Sequence, residues 1–243
     1  MKRGVVILVG GGETPPEVPQ TILRLSGGAD ARVVILAHTQ QEVGRGAERS
    51  AAFFREQGAH HVIAPDTLQP DALAALLHEA QAVWIPGGDQ NRFMARLGSS
   101  PLFLNALRAV LTRGGVVGGT SAGASLMGEK MPTGNQSAEG ELRIGAVELA
   151  PALNLLPSTL VDQHFLKRGR LPRLICAVLE NPHLIGIGID ENAWAIVQGD
   201  TLRVQQGQVV MLRARAKPHR HESLLGTRHL EMQILLPGDQ VKW

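Results

Sequence analysis

The sequence predicts an α/β fold, with a mostly parallel sheet flanked by helices and an antiparallel extension at the C-terminal end. In the first half, short β-branched runs alternate with amphipathic segments, which is the pattern of consecutive strand–helix units. The runs are apolar throughout, as expected for parallel strands that are covered on both faces. In the last quarter, short alternating strands follow one another at hairpin spacing, which indicates antiparallel pairing.

The first half contains five predicted strands, most of which are followed by a helical pattern. The strands are Val5–Val9, Val33–Ala37, His61–Ile63, Ala82–Ile85 and Val116–Val117. The helices are Pro19–Ser26, Gly46–Gly58, Asp71–Ala80 and Leu102–Arg113. Glycine-rich turns follow the first, fourth and fifth strands, and the carboxyl edge of a parallel sheet is where ligands bind. We therefore expect these turns to share one functional edge.

The second half changes to short strands with tight turns. The predicted strands are Leu184–Ile189, Ala193–Val197, Thr201–Val204 and Gln208–Leu212. The later segment His219–His221 is predicted to lie in a polar loop. Because no linker is visible, we expect a single domain over residues 1–243, in which residues 192–243 form the antiparallel hairpin extension and tail.

The composition narrows the classes of function. Of 243 residues, 44% are hydrophobic and 19% are charged, which is typical of a globular chain. The net charge is only +2 and aromatic residues make up 3%, so neither a basic patch nor a stacking surface for nucleic acid is predicted. No apolar run approaches 18 residues, so no membrane span is expected and we predict a cytoplasmic protein.

No metal or cofactor is predicted either. The single cysteine, Cys176, excludes an internal disulfide and a multi-cysteine zinc site, and its apolar neighbours predict burial. The spacing H-E-x-x-H is absent. The triplet Gly10–Gly12 follows a strand, but Pro15 stands where the dinucleotide-binding pattern G-x-G-x-x-G needs glycine.

The segment Gly119–Gly123 matches the nucleophile-elbow pattern G-x-S-x-G. It follows a strand and precedes a run of small residues, Ala122–Met127, that can begin a helix. Such a sharp turn strains the serine backbone and exposes its hydroxyl above the sheet edge, which requires small flanking residues. A turn of this kind can also serve only to pack tightly or to hold a phosphate.

A nucleophilic serine needs a base and a group that orients the base. His164 is the candidate base because it follows an extended run, where polar residues begin. Three carboxylates are candidates to orient it: Asp162, Asp190 and Glu191. Strand alternation places Asp190 and Glu191 on opposite faces, so only one of that pair can readily reach a given histidine.

Backbone amides must also stabilise the developing oxyanion. The Ala122 N–H belongs to the elbow, and a second amide can come from Gly87–Gly88, with Gly10–Gly12 as the weaker candidate. After His164, the basic stretch Lys167–Arg173 is either a solvated loop or a site that recognises a carboxylate through guanidinium groups.

Four motifs in this order resemble the cyanophycinase group of the S51 serine peptidases, a family that also includes aspartyl dipeptidases of the peptidase E type. They are Pro86–Gln90, Gly119–Ala124, Asp162–Phe165 with the arginines that follow it, and Gly188–Glu191. The resemblance extends from Val5 to about Val197.

The resemblance implies a glutamine-amidotransferase-like α/β fold, hydrolysis of bonds next to aspartyl residues, and a homodimer. It also implies a role for each matching residue. Ser121 would be the nucleophile, His164 the general base, Glu191 the orienting acid, and Gly88 and Ala122 the oxyanion hole. The implied substrate-binding residues are Gln90, Asp162, Gln163, Arg168, Arg170 and Arg173.

Three functions follow as hypotheses. The segment from Asp162 to Arg173 favours a cyanophycinase-like peptidase for β-Asp-Arg substrates. The first loop, Gly10–Pro16, departs from the cyanophycinase pattern, and residues 128–155 match no pattern of the family. An α-aspartyl dipeptidase is therefore the alternative, and a non-catalytic binding module that holds an anion at the elbow is an alternative of another class.

Overall fold

Two main sheets and seven helices make up the part of the chain described by the computed structural model, residues 4–134 and 141–243. The strands are β1 (Val5–Val9), β2 (Arg32–Ile35), β3 (His61–Ile63), β4 (Ala82–Ile85), β5 (Val116–Thr120), β6 (Gly128–Pro132), β7 (Leu149–Pro151), β8 (Leu156–Gln163), β9 (Ile185–Ile189), β10 (Trp194–Gln198), β11 (Thr201–Gln206), β12 (Val209–Ala214), β13 (His219–His221), β14 (Leu224–Gly226), β15 (Leu230–Leu235) and β16 (Gln240–Lys242). The helices are α1 (Glu17–Ser26), α2 (Val43–Glu56), α3 (Pro70–Leu77), α4 (Gln90–Leu97), α5 (Pro101–Thr112), α6 (Ala122–Ser125) and α7 (Leu171–Glu180).

The first sheet has the strand order β16-β11-β10-β1-β5-β4-β2-β3. The pairs among β1, β5, β4, β2 and β3 are parallel, whereas β10, β11 and β16 join in antiparallel pairs. All five residues of β1 are buried because hydrophobic clusters cover both faces of the sheet. This burial explains the continuous apolar runs that predicted parallel strands.

The second sheet has the order β15-β12-β9-β8-β6-β7. Its strands β6, β8 and β9 pair in parallel, and β7, β12 and β15 pair in antiparallel fashion at its two ends. Helix α7 packs on one face, where Leu174 and Val178 meet Val210 and Leu212. The structure thus confirms the predicted α/β class, with mostly parallel sheets and an antiparallel C-terminal extension.

The extension is divided in a way that hairpin spacing did not predict. Strand β9 belongs to the second sheet and β10 to the first, so the chain crosses between sheets at the turn that joins them. Strands β10, β11 and β16 then extend the first sheet, and β12 and β15 extend the second.

Two of the local differences from the sequence-based expectation concern polar segments. The segment His219–His221 is strand β13, paired with β14, and not a loop. All three of its side chains are exposed, so it lacks the apolar alternation by which a strand is recognised. The end of the predicted basic loop is the beginning of helix α7. Cys176 lies buried in that helix as predicted, and burial raises the pKa of its thiol.

The loop that follows β1 connects the two sheets at their carboxyl ends. The Val9 carbonyl accepts from Ser121 N–H at 2.9 Å, and the Gly10 carbonyl accepts from His164 N–H at 2.8 Å. The Gly11 carbonyl accepts from Asn192 N–H at 2.9 Å. This loop therefore brings the ends of β5, β8 and β9 together. Among the described residues, no helix has the length and apolar character needed to cross a bilayer.

Candidate active site

Ser121 lies in the tight turn between β5 and α6. Its φ of 52° and ψ of −116° form a strained conformation for a residue with a side chain. A Cβ at Gly119 would lie 2.5 Å from the carbonyl carbon of Gly123, and a Cβ at Gly123 would overlap the Ile85 carbonyl. The close packing of this turn therefore accounts for both glycines of the elbow pattern.

Ser121, His164 and Glu191 form one chain of hydrogen bonds. Ser121 Oγ is 2.9 Å from His164 Nε2, and His164 Nδ1 is 2.7 Å from Glu191 Oε1. The side chain of His164 is 12% exposed and that of Glu191 is 26% exposed. The arrangement provides a hydroxyl, an imidazole that can accept its proton, and a carboxylate that fixes the imidazole tautomer.

The other two candidate carboxylates have different partners. Asp190 Oδ1 accepts from the Lys167 backbone N–H at 2.9 Å. Asp162 is fully buried and binds Arg173. The structure therefore resolves the choice that strand alternation left open, since Glu191 is the acid that contacts the imidazole.

The environment of His164 favours its neutral form. Burial lowers the pKa of its imidazole from the ordinary value of 6.5, and the nearby cations of Arg168 and Arg170 act in the same direction. The hydrogen bond and charge of Glu191 oppose this, but the net direction is downward. A neutral imidazole at neutral pH can accept a proton from Ser121.

Two backbone amides flank the serine. Ala122 follows it in the elbow, and Gly88 lines the same cavity. A Cβ at Gly87 would lie 3.3 Å from Ser121 Cβ, so this loop passes directly beside the hydroxyl. Within the described part of the chain, neither the Gly88 nor the Ala122 N–H has a hydrogen-bond acceptor. Both remain available to an oxygen that forms next to Ser121 Oγ.

A polar cavity of about 330 Å³ opens at the serine. Its lining residues are Gly88, Asp89, Gln90, Asn91, Ser121, Thr133, Gly134, Gln163, His164 and Arg168. Three of the six predicted substrate residues therefore face it: Gln90, Gln163 and Arg168. Gln90 Nε2 donates to the Pro132 carbonyl at 2.8 Å, and Gln163 Oε1 lies 3.5 Å from Ser121 Oγ. Arg168 is exposed.

The other three predicted substrate residues are buried behind Gln163. Asp162 Oδ1 accepts from the Gln163 N–H at 2.8 Å, and Arg170 Nη1 donates to the Gln163 carbonyl at 2.6 Å. Arg173 Nε donates to Asp162 Oδ2 at 2.6 Å. Burial and the neighbouring Arg173 lower the pKa of Arg170 to about 10. Direct contact of these three with substrate stays a prediction.

The glycine triplet has a role that its sequence did not reveal. The triplet lies against His164 and Glu191. The sequence had suggested it only as the weaker candidate for an amide of the oxyanion hole. A Cβ at Gly11 would lie 2.5 Å from His164 Nε2, and a Cβ at Gly12 would lie 3.3 Å from Glu191 Cβ. Asn192 Oδ1 accepts from the Glu13 N–H at 2.9 Å and completes this contact. The only sign of this packing role in the sequence is the run of three glycines.

In residues 4–134 and 141–243, no group of three or more histidine, cysteine or acidic side chains could hold a metal ion.

Comparisons with known proteins identify the family of this chain. A family model described as peptidase family S51 matches residues 6–205. The cyanophycinase of Geminocystis herdmanii is 31% identical over 255 residues, with 98% of this chain and 93% of that protein covered. The cyanophycinase of Thermosynechococcus vestitus is 32% identical over 253 residues, with 98% and 78% covered.

Two solved structures share the fold. A peptidase from an acI-B1 Actinobacterium superposes with a TM-score of 0.70 at 18% identity, covering 99% of this chain and 97% of that one. A putative peptidase E protein from Listeria monocytogenes gives a TM-score of 0.56 at 15% identity, covering 84% and 98%. The family model and the curated relatives show that this chain belongs to peptidase family S51, and it is a serine hydrolase.

Proposed function

We propose that this S51 peptidase hydrolyses peptide bonds next to aspartyl residues in the manner of a cyanophycinase, with Ser121, His164 and Glu191 as its catalytic triad. The observation that carries the proposal is the unbroken hydrogen-bond chain from Ser121 Oγ through the imidazole to Glu191. The free amides of Gly88 and Ala122 beside it support an oxyanion hole.

The proposed reaction proceeds through an acyl-enzyme. Ser121 Oγ attacks the scissile carbonyl carbon while its proton passes to His164 Nε2, and the new oxyanion accepts from the amides of Gly88 and Ala122. The C–N bond then breaks as His164 returns the proton to the leaving amine. Water, deprotonated by His164, attacks the ester and releases the acid, and the proton returns to Ser121.

Charge supports an acidic substrate. Arg168 is an exposed cation at the edge of the cavity, where its guanidinium can pair with the free carboxylate of an aspartyl unit. Gln90 and Gln163 also line the cavity and offer amide groups to the substrate. We propose that Asp162, Arg170 and Arg173 act from behind, by holding the backbone of Gln163. The curated relatives named cyanophycinase support β-Asp-Arg units as the substrate class.

Product analysis tests the substrate class. The purified protein is incubated with cyanophycin and, separately, with a library of α-Asp-X dipeptides, and the products are identified by mass spectrometry. Release of β-Asp-Arg supports the proposal. Release of aspartate from α-Asp-X alone would identify an α-aspartyl dipeptidase instead. Light scattering of the same protein tests the predicted homodimer.

Ser121→Ala tests the nucleophile. We expect it to lower kcat by about 10⁴-fold or more with an unchanged far-ultraviolet circular dichroism spectrum, because the acyl-enzyme can no longer form. A fluorophosphonate probe should label the wild type at Ser121 and leave the variant unlabelled. An unlabelled wild type that nonetheless binds aspartyl peptides would favour the non-catalytic binding module.

A further inference from the structure

The peptide bond between Gly87 and Gly88 is held by hydrogen bonds from the side chains of Thr39 and Gln40. The Gly87 carbonyl accepts from Gln40 Nε2 and from Thr39 Oγ1 at 2.9 Å, and the single proton of the Thr39 hydroxyl is shared with the Pro86 carbonyl at 3.0 Å. In a planar trans peptide, the carbonyl and the following N–H point in opposite directions. Donors that bind the Gly87 carbonyl therefore direct the Gly88 N–H away from themselves, toward the cavity shared with Ser121.

Thr39 also binds Asp89, the residue after Gly88. The Asp89 N–H donates to the Thr39 carbonyl at 2.9 Å, so Thr39 binds the chain on both sides of Gly88. Gly88 itself has a φ of 144°, and a Cβ there would lie 2.5 Å from the Thr39 carbonyl oxygen. Thr39 is fully buried, so these contacts are shielded from water.

Helix α4 fixes the anchoring segment in turn. Arg92 Nη1 donates to the Thr39 carbonyl at 2.9 Å. Arg96 Nη1 donates to the carbonyls of His38 at 2.9 Å and Gln40 at 2.7 Å. Such support matters because a peptide between two glycines has few steric barriers to rotation. A flipped peptide would present its carbonyl oxygen, and not its N–H, to the developing negative charge.

We infer that Thr39 and Gln40 are positioning residues that prevent the Gly87–Gly88 peptide from flipping and so preorganise one donor of the oxyanion hole. The inference rests on the proposed function, because it assigns the Gly88 amide to the oxyanion. It concerns residues outside the four sequence motifs. The Thr39 hydroxyl and the Gln40 amide, 48 and 47 residues before Gly87, would thereby support the oxyanion hole.

Thr39→Val tests the inference, since it removes the hydroxyl and keeps the shape. We expect kcat to fall by on the order of 10²-fold, the usual effect of losing one oxyanion donor, with KM changed less than threefold. Thr39→Ser, which keeps the hydroxyl, should restore most of the lost kcat. Thr159→Val is the matched control, because that buried threonine also donates to a backbone carbonyl, of Leu156. Its kcat should stay at the wild-type value.

The rate of fluorophosphonate labelling separates this inference from the choice of substrate. The probe's phosphoryl oxygen uses the same hole but no aspartyl group, so Thr39→Val should slow labelling even if the natural peptide is different. If Thr39→Val does not fold, Gln40→Leu takes its place, because Gln40 is the second donor and is only partly buried. The inference would be overturned if the variant folds and keeps both the labelling rate and the kcat of the wild type. Failure of the wild type to cleave any aspartyl peptide would count against the proposed function alone.

Discussion

Gly11 shows how the absence of a side chain leaves room for the imidazole of His164, the proposed general base. Its φ is 101°, and its Cα lies against the imidazole of His164, whose own backbone N–H is bound by Gly10. His164 has a φ of 48°, so its side chain reaches Ser121 from an uncommon backbone conformation. The imidazole is thus held by its neighbours and not by its intrinsic preferences.

Gly11→Ala is predicted to displace the imidazole. The new Cβ would stand 2.5 Å from His164 Nε2, and misplacement of a catalytic group by about 1 Å can cost about 100-fold. We expect kcat to fall by about 10- to 100-fold in steady-state assays. Gly28→Ala is the control, because Gly28 also has a positive φ but nothing within 4 Å of its Cβ position. Equal effects of the two changes would attribute the loss to backbone strain alone.

The pKa of His164 predicts the acid limb of activity. Because burial lowers this pKa below 6.5 and the base must be neutral, kcat/KM should rise with pH through a midpoint below 6.5. Arg168 is one of the cations that lower this pKa. Arg168→Met should therefore move the midpoint to higher pH, in addition to raising KM for acidic substrates. A midpoint that moves down, or not at all, would contradict the assigned electrostatics.

At the scale of elements, a buried ion pair joins strand β8 to helix α7. Asp162 is fully buried and Arg173 is 2% exposed, and two guanidinium nitrogens of Arg173 bind the two carboxylate oxygens. Arg170, at the N-terminal end of α7, lies 3.5 Å from the same carboxylate. These contacts set the distance between the helix and the strand that ends one residue before His164.

Arg173→Met should destabilise the fold by about 3–5 kcal/mol, because it leaves Asp162 buried with too few partners. Urea unfolding followed by circular dichroism measures the change. Arg55→Met is the control, since Arg55 pairs with Glu48 on the exposed face of α2 and should cost under about 1 kcal/mol. A similarly small loss of unfolding free energy in both variants would show that the buried ion pair does not stabilise the fold.

At the scale of the whole molecule, the buried His38 and the partly buried His164 make stability depend on pH. Burial lowers the pKa of His38, whose Nε2 donates to the Thr67 carbonyl, and the pKa of His164 is lowered as well. The unfolded chain therefore binds protons more readily than the folded one. The stability that neutral histidines provide is present above pH 6.5 and declines as the pH falls below it.

Urea titrations at pH 7.5 and pH 5.5 should show this decline, which over the one pH unit below 6.5 amounts to at most about 1.4 kcal/mol for each histidine. His38→Gln should reduce the difference between the two pH values. His221→Gln, on the exposed strand β13, is the control for loss of a histidine and should keep the wild-type difference. A protein that is more stable at pH 5.5 would contradict the direction of both shifts.

The sequence by itself determined the local features of this protein. Strands such as Val5–Val9 and Ala82–Ile85 have the predicted bounds, because a buried strand consists of a continuous run of apolar residues that is visible in the sequence. The elbow at Ser121 could also be predicted from the sequence, since a tight turn requires small residues within two positions of the serine. The proposed triad came from the family resemblance that four such local motifs carry.

Only the tertiary structure decided which of these pieces meet. The division into two sheets and the burial of Asp162 with Arg173 depend on contacts between distant segments. The same is true of Thr39 and Gly11, whose partners at Gly87 and His164 lie far along the chain. A residue's neighbours in sequence carry little information about such contacts, because pairing and burial are set by how whole strands and helices pack.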